Sequence, residues 1–586
     1  MKNVFSRAVH TVTQHRSCKP LVTLSQMLRA LPSGDRFIVY VLAIFVVIAS
    51  IASVRAIEYK LFISVPAYGG TIVEGDLGSP RYVNPLLAFT DADRDITALT
   101  YAGLMKFSGK GKFIPVLAQS YTISPNGKVY TFIIRKNARF SDGTHVAAAD
   151  VVFTVKRAQD QNLKSPWFQD WHGIVATAIN KQTVRFTLPQ PYAPFLQNTT
   201  MGILPEHLWK GISDAQFPFS KLMTYPVGAG PFVVSRVVQN AGEGITSGLI
   251  SEYDLTASKN YVFGRPYLNG INIRFYPNNT QRTEALSQGK ITNAYGIVTN
   301  RKNEHILGAP TSSVFGVFFN ENKDSILTNI AIRKALSLAI NRKQLIQNVL
   351  NGNGFPIMGP VPPGMGTTQT PIPPDVHVVA QAAQTLEKAG WVYDGNTREW
   401  RNKAKKLTFS SLTIKTSNVT SLRKTATAVQ KDWQKLGIIV TVELYEKGDL
   451  NQNVIRPRDY QALLVGVAIN HGQDLFAFWH SSQRTSPGLN IALYANKTVD
   501  SLLEDARTVQ DPKKRLADLN AIEKDISADY PAAFLYNPKF IYTVPDNLRG
   551  VTLPIINTVS NRFTTVNTWY TYTNLVWPFL ASQKMH

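Results

Sequence analysis

Few residues of this 586-residue chain stand at spacings that perform a reaction. A serine nucleophile elbow reads G-x-S-x-G, a zinc hydrolase H-E-x-x-H and a phosphate loop G-x-x-x-x-G-K-[ST]; none of these strings occurs. The GAG at Gly228 to Gly230 lacks the spacing of a dinucleotide fingerprint. His145, His172, His471 and His480 never share the i, i+4 spacing that turns two imidazoles toward one metal. Cys18 is the single cysteine, which rules out an intramolecular disulfide and a zinc site built on several thiolates. Acids are abundant, yet no pair sits in a recognisable catalytic motif. Neither an enzyme nor a cofactor is expected. Binding is the remaining chemistry, and Trp479 offers an indole that stacks on a ligand or fills a core.

The elements that position a binding site must come from a large globular body. A chain of this length holds two to four lobes with their own cores, and 44% hydrophobic with 17% charged residues is a globular composition. The formal charge is +23. Lys and Arg are spread along the chain, with no zinc-finger spacing and no RNA-binding aromatic signature, so nucleic acid is not the expected partner. A basic surface facing anionic lipid or cell wall fits this distribution better.

Phe37 to Val54 reads FIVYVLAIFVVIASIASV, without a charge, between Arg36 and Arg55. At about 1.5 Å per residue it spans about 27 Å, close to the hydrocarbon thickness of a bilayer. Lys2, Arg7, Arg16, Lys19, Arg29 and Arg36 precede it against the single acid Asp35. The positive-inside rule therefore keeps residues 1–36 cytoplasmic and exports the chain beyond Arg55. A cleaved signal peptide competes with this reading, since Ala49, Ser50, Ala52 and Ser53 are small; the long basic region and long apolar run favour an uncleaved transmembrane anchor. Cys18 precedes the apolar run and reads as a free thiol in the basic tail, not as a lipid-attachment site.

Beyond Ile57, short strands, turns and amphipathic helices alternate, which argues α/β. Lys128 to Arg135 (KVYTFIIR) reads as a strand after the Pro125-Asn126-Gly127 turn. Asp142-Gly143 makes the next turn, and Ala147 to Gln159 a helix burying Val151, Val152 and Val155. Ile330 to Leu350 has helical periodicity, broken where Asn341 and Gln344 form a capping box that opens Arg342 to Leu350. Further helices are expected over Val379 to Gly390 and Leu422 to Leu436, a hairpin around Asp394-Gly395 and a strand over Ile438 to Leu444.

Five blocks in order resemble the family 5 extracellular solute-binding proteins, the group with oligopeptide- and dipeptide-binding proteins. They are Arg81 to Phe107 (RYVNPLLAFTDADRDITALTYAGLMKF), Pro115 to Ala158 with Asp142, Gly143, Thr144, Asp150, Val151 and Val152 at matching places, and PVGAGPFVV from Pro226 with GRPYLNGINIRFYPN behind it. AIRKALSLAINRKQLIQNVL with NGNGFPIMGPVPPGM after it is the fourth, and VDSLLEDARTVQDPKKRLADLNAIEKDI the fifth. The chain departs from the pattern at Ala147, where the family has a threonine cap, and in lacking the usual lipid-attachment cysteine.

The resemblance implies an α/β, two-lobed periplasmic-binding-protein-like fold of type II with an extra inserted small domain, here preceded by the transmembrane helix. It places lobe I at residues 57–103, 225–310 and 547–586, the inserted domain at 104–224 and lobe II at 311–546, behind the 1–36 tail and the 37–54 anchor. It implies capture of a small ligand, a peptide foremost, between the lobes and delivery to the permease subunits of an ABC-type importer. It further implies that Gly466, Val467 and Ala468 offer backbone groups to the ligand and that Asn470 stands where peptide binders carry an ammonium-holding aspartate. His471, Asp474 and Trp479 lie on the same stretch, and Tyr82, Asn84 and Thr90 near the mouth of the cleft. The neutral Asn470 keeps a sugar or metal chelate open as ligand, and the same fold could serve as a membrane-anchored sensor or surface-binding module.

Overall fold

The computed structural model describes residues 27, 31–108, 112–241, 248–299, 301–372 and 378–578. Cys18 and the basic residues Lys2, Arg7, Arg16, Lys19 and Arg29 lie outside them. The chain divides into two units, one of residues up to Ala67 together with those from Thr573 onward, the other Tyr68–Tyr572.

The first unit contains the helix Ser33–Leu61, whose apolar part, Ser33–Ser53, is long and hydrophobic enough to cross a membrane. No side chain of that span is buried, as an apolar helix without a protein partner requires. The strand Ile63–Ala67 belongs to a two-stranded sheet with Tyr572–Val576. Residues 57–67 and 573–578 therefore join the apolar helix, whereas the resemblance assigns them to lobe I.

The second unit is built on a twelve-stranded sheet. From one edge ten of them run Ile439–Tyr445, Ser411–Ser417, Ala462–Ala468, Ser313–Phe319, Ala532–Pro545, Asn293–Tyr295, Thr71–Leu77, Gly270–Tyr276, Ile250–Ala257 and Phe232–Gln239, and the other two, Glu304–Pro310 and Gly354–Pro356, pair with Ala532–Pro545 off this path. Ala532–Pro545 (AAFLYNPKFIYTVP) is aromatic and β-branched and nearly all buried, as a central strand should be. Its first half pairs with Ser313–Phe319 and its second with Glu304–Pro310. The chain thus crosses between the two halves of the sheet twice, through Pro310 to Ser313 and through Asn537 to Lys539. Each crossing carries a proline, Pro310 and Pro538, where a missing N–H is least costly. The second crossing lies before residue 546, the expected end of lobe II; the strand continues unbroken there, and only Pro538 marks the change.

The inserted domain carries a four-stranded antiparallel sheet in the order Ala118–Ile123, Val129–Ile134, Thr183–Thr187, Val175–Asn180. Helix Ala148–Ala158 packs on it through Val151 and Val155, into a core with Tyr130, Phe132, Trp171, Phe186 and Phe195. With Ala147 at the cap, half of a capping box remains: the Ala147 N–H donates to Asp150 Oδ2 at 2.8 Å. In lobe II, Asn341 caps Arg342–Leu350 by accepting from the Gln344 N–H at 2.8 Å. Val378–Lys388, Thr420–Lys435 and Ile439–Tyr445 form as the periodicity predicts, and Gly390 takes φ +82° beyond its helix. Val392–Asp394 and Glu399–Asn402 pair as the predicted hairpin.

Candidate functional site

The strand Ala462–Ala468 has an open edge. On one side it pairs antiparallel with Ser313–Phe319 along its whole length, Ser313 opposite Ala468. On the other, Ser411–Ser417 accompanies it only as far as Leu464. The Ile469 N–H donates to the Ser312 carbonyl at 2.9 Å, which sets the alternation. Val465 and Val467 turn their backbone groups to the paired strand; Gly466 and Ala468 turn theirs outward, where no strand among the described residues meets them. Both are exposed. A side chain at Gly466 would strike the Phe315 ring, 2.6 Å from an ideal Cβ, so glycine lets that ring lie flat against the strand.

The turn after this strand joins lobe II to the inserted domain. Asn470 Oδ1 accepts from the Asp474 N–H at 3.4 Å, closing the turn on itself. The Gly472 N–H donates to Gln197 Oε1 at 2.5 Å, and Tyr192 Oη donates to Asp474 Oδ2 at 3.1 Å. Arg507 pairs with the same carboxylate at 3.3 Å, and Arg515 donates to the Gly472 carbonyl. Burial and the Asp474 charge push the Tyr192 phenol up, so it remains a proton donor to that carboxylate. His471 stacks on Phe107 with centroids 3.9 Å apart and planes 5° from parallel, while its Nε2 donates to the Ile555 carbonyl at 2.8 Å. Burial lowers the His471 pKa, opposed by that hydrogen bond, so the ring is neutral.

Beside this turn lies a cavity of about 440 Å³, within the range of small-molecule sites. By the bounds the resemblance gives, lobe I lines it with helix Asp91–Thr100, the inserted domain with the Lys106-Phe107 pair, Trp167, Asp170 and Gln197, and lobe II with His471. The segment Val559–Thr568 closes another side with Ser560, Asn561 and Thr564. Lys106 donates to the Thr564 carbonyl at 3.1 Å and to Asn567 Oδ1 at 3.4 Å, and lies over the Phe263 ring. Burial lowers its pKa to about 8. Asp170 is open to the cavity but walled in by protein, and this burial raises its pKa to about 6.

The structure brings Gly466, Val467, Ala468, Asn470, His471 and Asp474 together on one strand and turn. It does not bring Trp479 to the surface. That indole is 1% exposed in the lobe II core among Phe318, Tyr494 and Phe534, so it fills a core and cannot stack on a ligand. Asn84 is fully buried and accepts from the Leu86 N–H at 2.8 Å. Thr90 caps helix Asp91–Thr100 in a capping box with Asp93, and Tyr82 packs on the inserted-domain core with its N–H on Asp93 Oδ1. These three support the helix that lines the cavity. Sequence reasoning passed over Lys106, Asp170, Tyr192 and Gln197. The one signal was an acid among aromatic residues, WFQDWH from Trp167, with no cation beside it.

Two halves of one sheet, linked by paired crossings and enclosing a cavity where three segments meet, define a two-lobed binding protein. Residues 112–487, more than half of the chain, match the bacterial extracellular solute-binding proteins, family 5 (middle). The chain belongs to that family, whose members bind solutes and are not enzymes. The oligopeptide-binding protein AppA of Bacillus subtilis is 28% identical over 533 residues, covering 88% of this chain and 94% of AppA. The structure of AppA in complex with a nonapeptide matches with a TM-score of 0.62 at 26% identity, over 86% of this chain and 99% of that one. DppA of Helicobacter pylori, an ABC transporter-associated periplasmic binding protein solved with the peptide STSA, shares the fold: TM-score 0.62 at 24% identity, over 86% and 98%.

Proposed function

We propose that this chain captures peptides outside the cytoplasm and presents them to the permease subunits of an ABC-type importer, held at the membrane by its N-terminal helix. The open backbone edge at Gly466 and Ala468 carries the reading. An extended peptide adds there as a strand, taking affinity from main-chain hydrogen bonds and leaving side chains loosely specified. The likeness to AppA, whose structure holds a nonapeptide, supports peptide over sugar or chelate. A ligand touching both lobes favours the closed arrangement, in which lobe II also meets the inserted domain at Tyr192–Asp474 and Gln197–Gly472, and that arrangement is what a permease would recognise.

Calorimetry on the full chain in detergent, titrated with a mixed tri- to pentapeptide library, should show saturable binding. Heat with nickel–histidine or oligosaccharides and none with peptides would replace peptide by another solute. For the tether, intact-mass analysis of the membrane fraction should find the protein with the Phe37–Val54 segment retained; a soluble form starting after Ser53 would mean a cleaved signal instead.

A further inference from the structure

On the cavity wall, Asp170 and Lys106 each lack an oppositely charged partner among the described residues. The Asp170 carboxylate makes no ion pair among the described residues. The hydrogen bond at this residue uses its backbone carbonyl, which accepts from Asn198 Nδ2 at 2.5 Å. Among the described residues Lys106 meets a carbonyl, an amide oxygen and an aromatic face, and with three donors on its ammonium it keeps one to spare. Arg94, the other cation on the wall, is already paired with Asp91 at 3.3 Å.

Two hydroxyls on the same wall are unpartnered as well. Thr97 Oγ1 and Tyr101 Oη, one helical turn apart, are buried without a hydrogen bond, and both residues line the cavity. Tyr101 is 4% exposed. A native protein rarely leaves such groups unmatched unless something else satisfies them. Asp170 is exposed to the cavity and Lys106 is half-buried, and a ligand charge of opposite sign placed between protein walls is attracted more strongly than it would be in open water. Asn470 cannot serve as the anionic group, being neutral and engaged in its own turn.

We infer that the cavity receives a zwitterionic ligand, its cationic nitrogen on the Asp170 carboxylate and its anionic group on the Lys106 ammonium, with the Thr97 and Tyr101 hydroxyls completing the polar shell. This rests on the peptide reading and narrows it to peptides short enough to keep both charged ends inside. Asp170 and Lys106 both lie within residues 104–224, so the inserted domain then does more than brace the lobes: it supplies both charged contacts of the recognition.

The test uses the full chain and a library of di- to pentapeptides of Ala, Ser, Leu and Phe, made in free, N-acetylated and C-amidated forms. Wild type should prefer the free form over either blocked form by tenfold or more. Asp170→Asn should lose the preference against N-acetylation and keep that against amidation; Lys106→Met should do the reverse. The readout is a ratio within one folded variant, so a general weakening by either substitution does not imitate it, and circular dichroism verifies folding. If Lys106→Met does not fold, Lys106→Arg, which keeps the charge, should retain the amide discrimination, and its loss would overturn the carboxylate half. If wild type binds all three forms equally, the charge assignment is wrong while the peptide reading stands. If it binds none of them, both fall.

Discussion

The Asn537 side chain bridges the two crossings between the lobes: its Nδ2 donates to the Thr311 carbonyl at 2.7 Å and to the Ser313 carbonyl at 2.7 Å. The backbone answers in kind, with the Thr311 N–H on the Pro538 carbonyl at 3.2 Å. Ser312 reaches a third segment, its N–H on the Ile556 carbonyl and its Oγ on Asn557 Oδ1, both at 2.8 Å. Asn557 lines the cavity, and Ile555 accepts from His471. The crossing strands and the binding cavity therefore share one hydrogen-bonded strip, so a change in the angle between the lobes acts directly on the cavity wall.

Asn537→Ala removes both bonds and leaves two part-buried carbonyls without that donor. A cost of about 1–3 kcal/mol is expected in chemical denaturation. Ligand dissociation should also quicken, because the closed arrangement loses part of its support. Asn537→Asp has nearly the same shape but cannot donate, and should behave like the alanine variant. Unchanged stability and dissociation in both variants would remove this residue from the hinge.

The outward N–H of Ala468 predicts a clean separation of binding from stability. Proline is tolerated on an edge strand where its missing N–H faces away from the ladder. Ala468→Pro should weaken peptide binding about fivefold to tenfold, the net worth of one hydrogen bond, and shift the melting temperature little. Proline at the neighbouring Val467, whose N–H faces the Ser313–Phe319 strand, should instead destabilise the lobe. Calorimetry and thermal melts on the pair decide whether the edge is where ligand adds.

Period and turn chemistry made most of the elements legible in the sequence. The Asn341–Gln344 cap, the Gly390 stop and the hairpin around Asp394-Gly395 are local rules with local outcomes. The site was legible only along one strand. Gly466 to Asp474 lie close in sequence, whereas Lys106, Asp170 and Asn557 meet solely through the fold, and no spacing announces that. Trp479 and Asn84 look like binding residues by type, but burial decides their role, and a single sequence does not display burial. The second crossing was hidden because a strand passing from one lobe to the other breaks no period; only Pro538 marks the place.

Glu523 predicts a pH-dependent stability. It is 2% exposed, accepts from the Val361 N–H at 3.0 Å and from Thr370 Oγ1 at 3.3 Å, and burial raises its pKa to about 7. The folded state thus binds its proton more tightly than the unfolded chain. The stabilisation from that proton is complete below pH 4.5 and is lost as pH rises through about 7. Glu523→Gln should match wild type near pH 4 and exceed it at pH 8, by up to about 3 kcal/mol for a shift of this size. Parallel denaturation curves at the two pH values check it. An equal gap between the proteins at both would show that the carboxyl is not the titrating group.

Arg562 predicts the largest single loss. It is fully buried between two acids, its Nη2 2.5 Å from Asp95 Oδ2 and its Nε donating to Glu74 Oε1 at 3.0 Å, and Tyr542 Oη donates to Glu74 Oε2 at 2.7 Å. Burial pushes both carboxyls upward and the guanidinium pulls them back, so removing the cation leaves two acids with only their desolvation. Arg562→Met should cost about 3–5 kcal/mol. The triple variant with Glu74→Leu and Asp95→Leu removes these three charges, leaves the neighbouring buried Asp76 on its Tyr295 hydrogen bond, and recovers most of that loss if uncompensated charge on Glu74 and Asp95 is the cause. Phe563 and Thr564, next along the chain, line the cavity, so the single variant should also weaken ligand binding and the triple variant restore it. Recovery of stability without recovery of binding would show that Arg562 positions the cavity wall by its shape, and not by its charge.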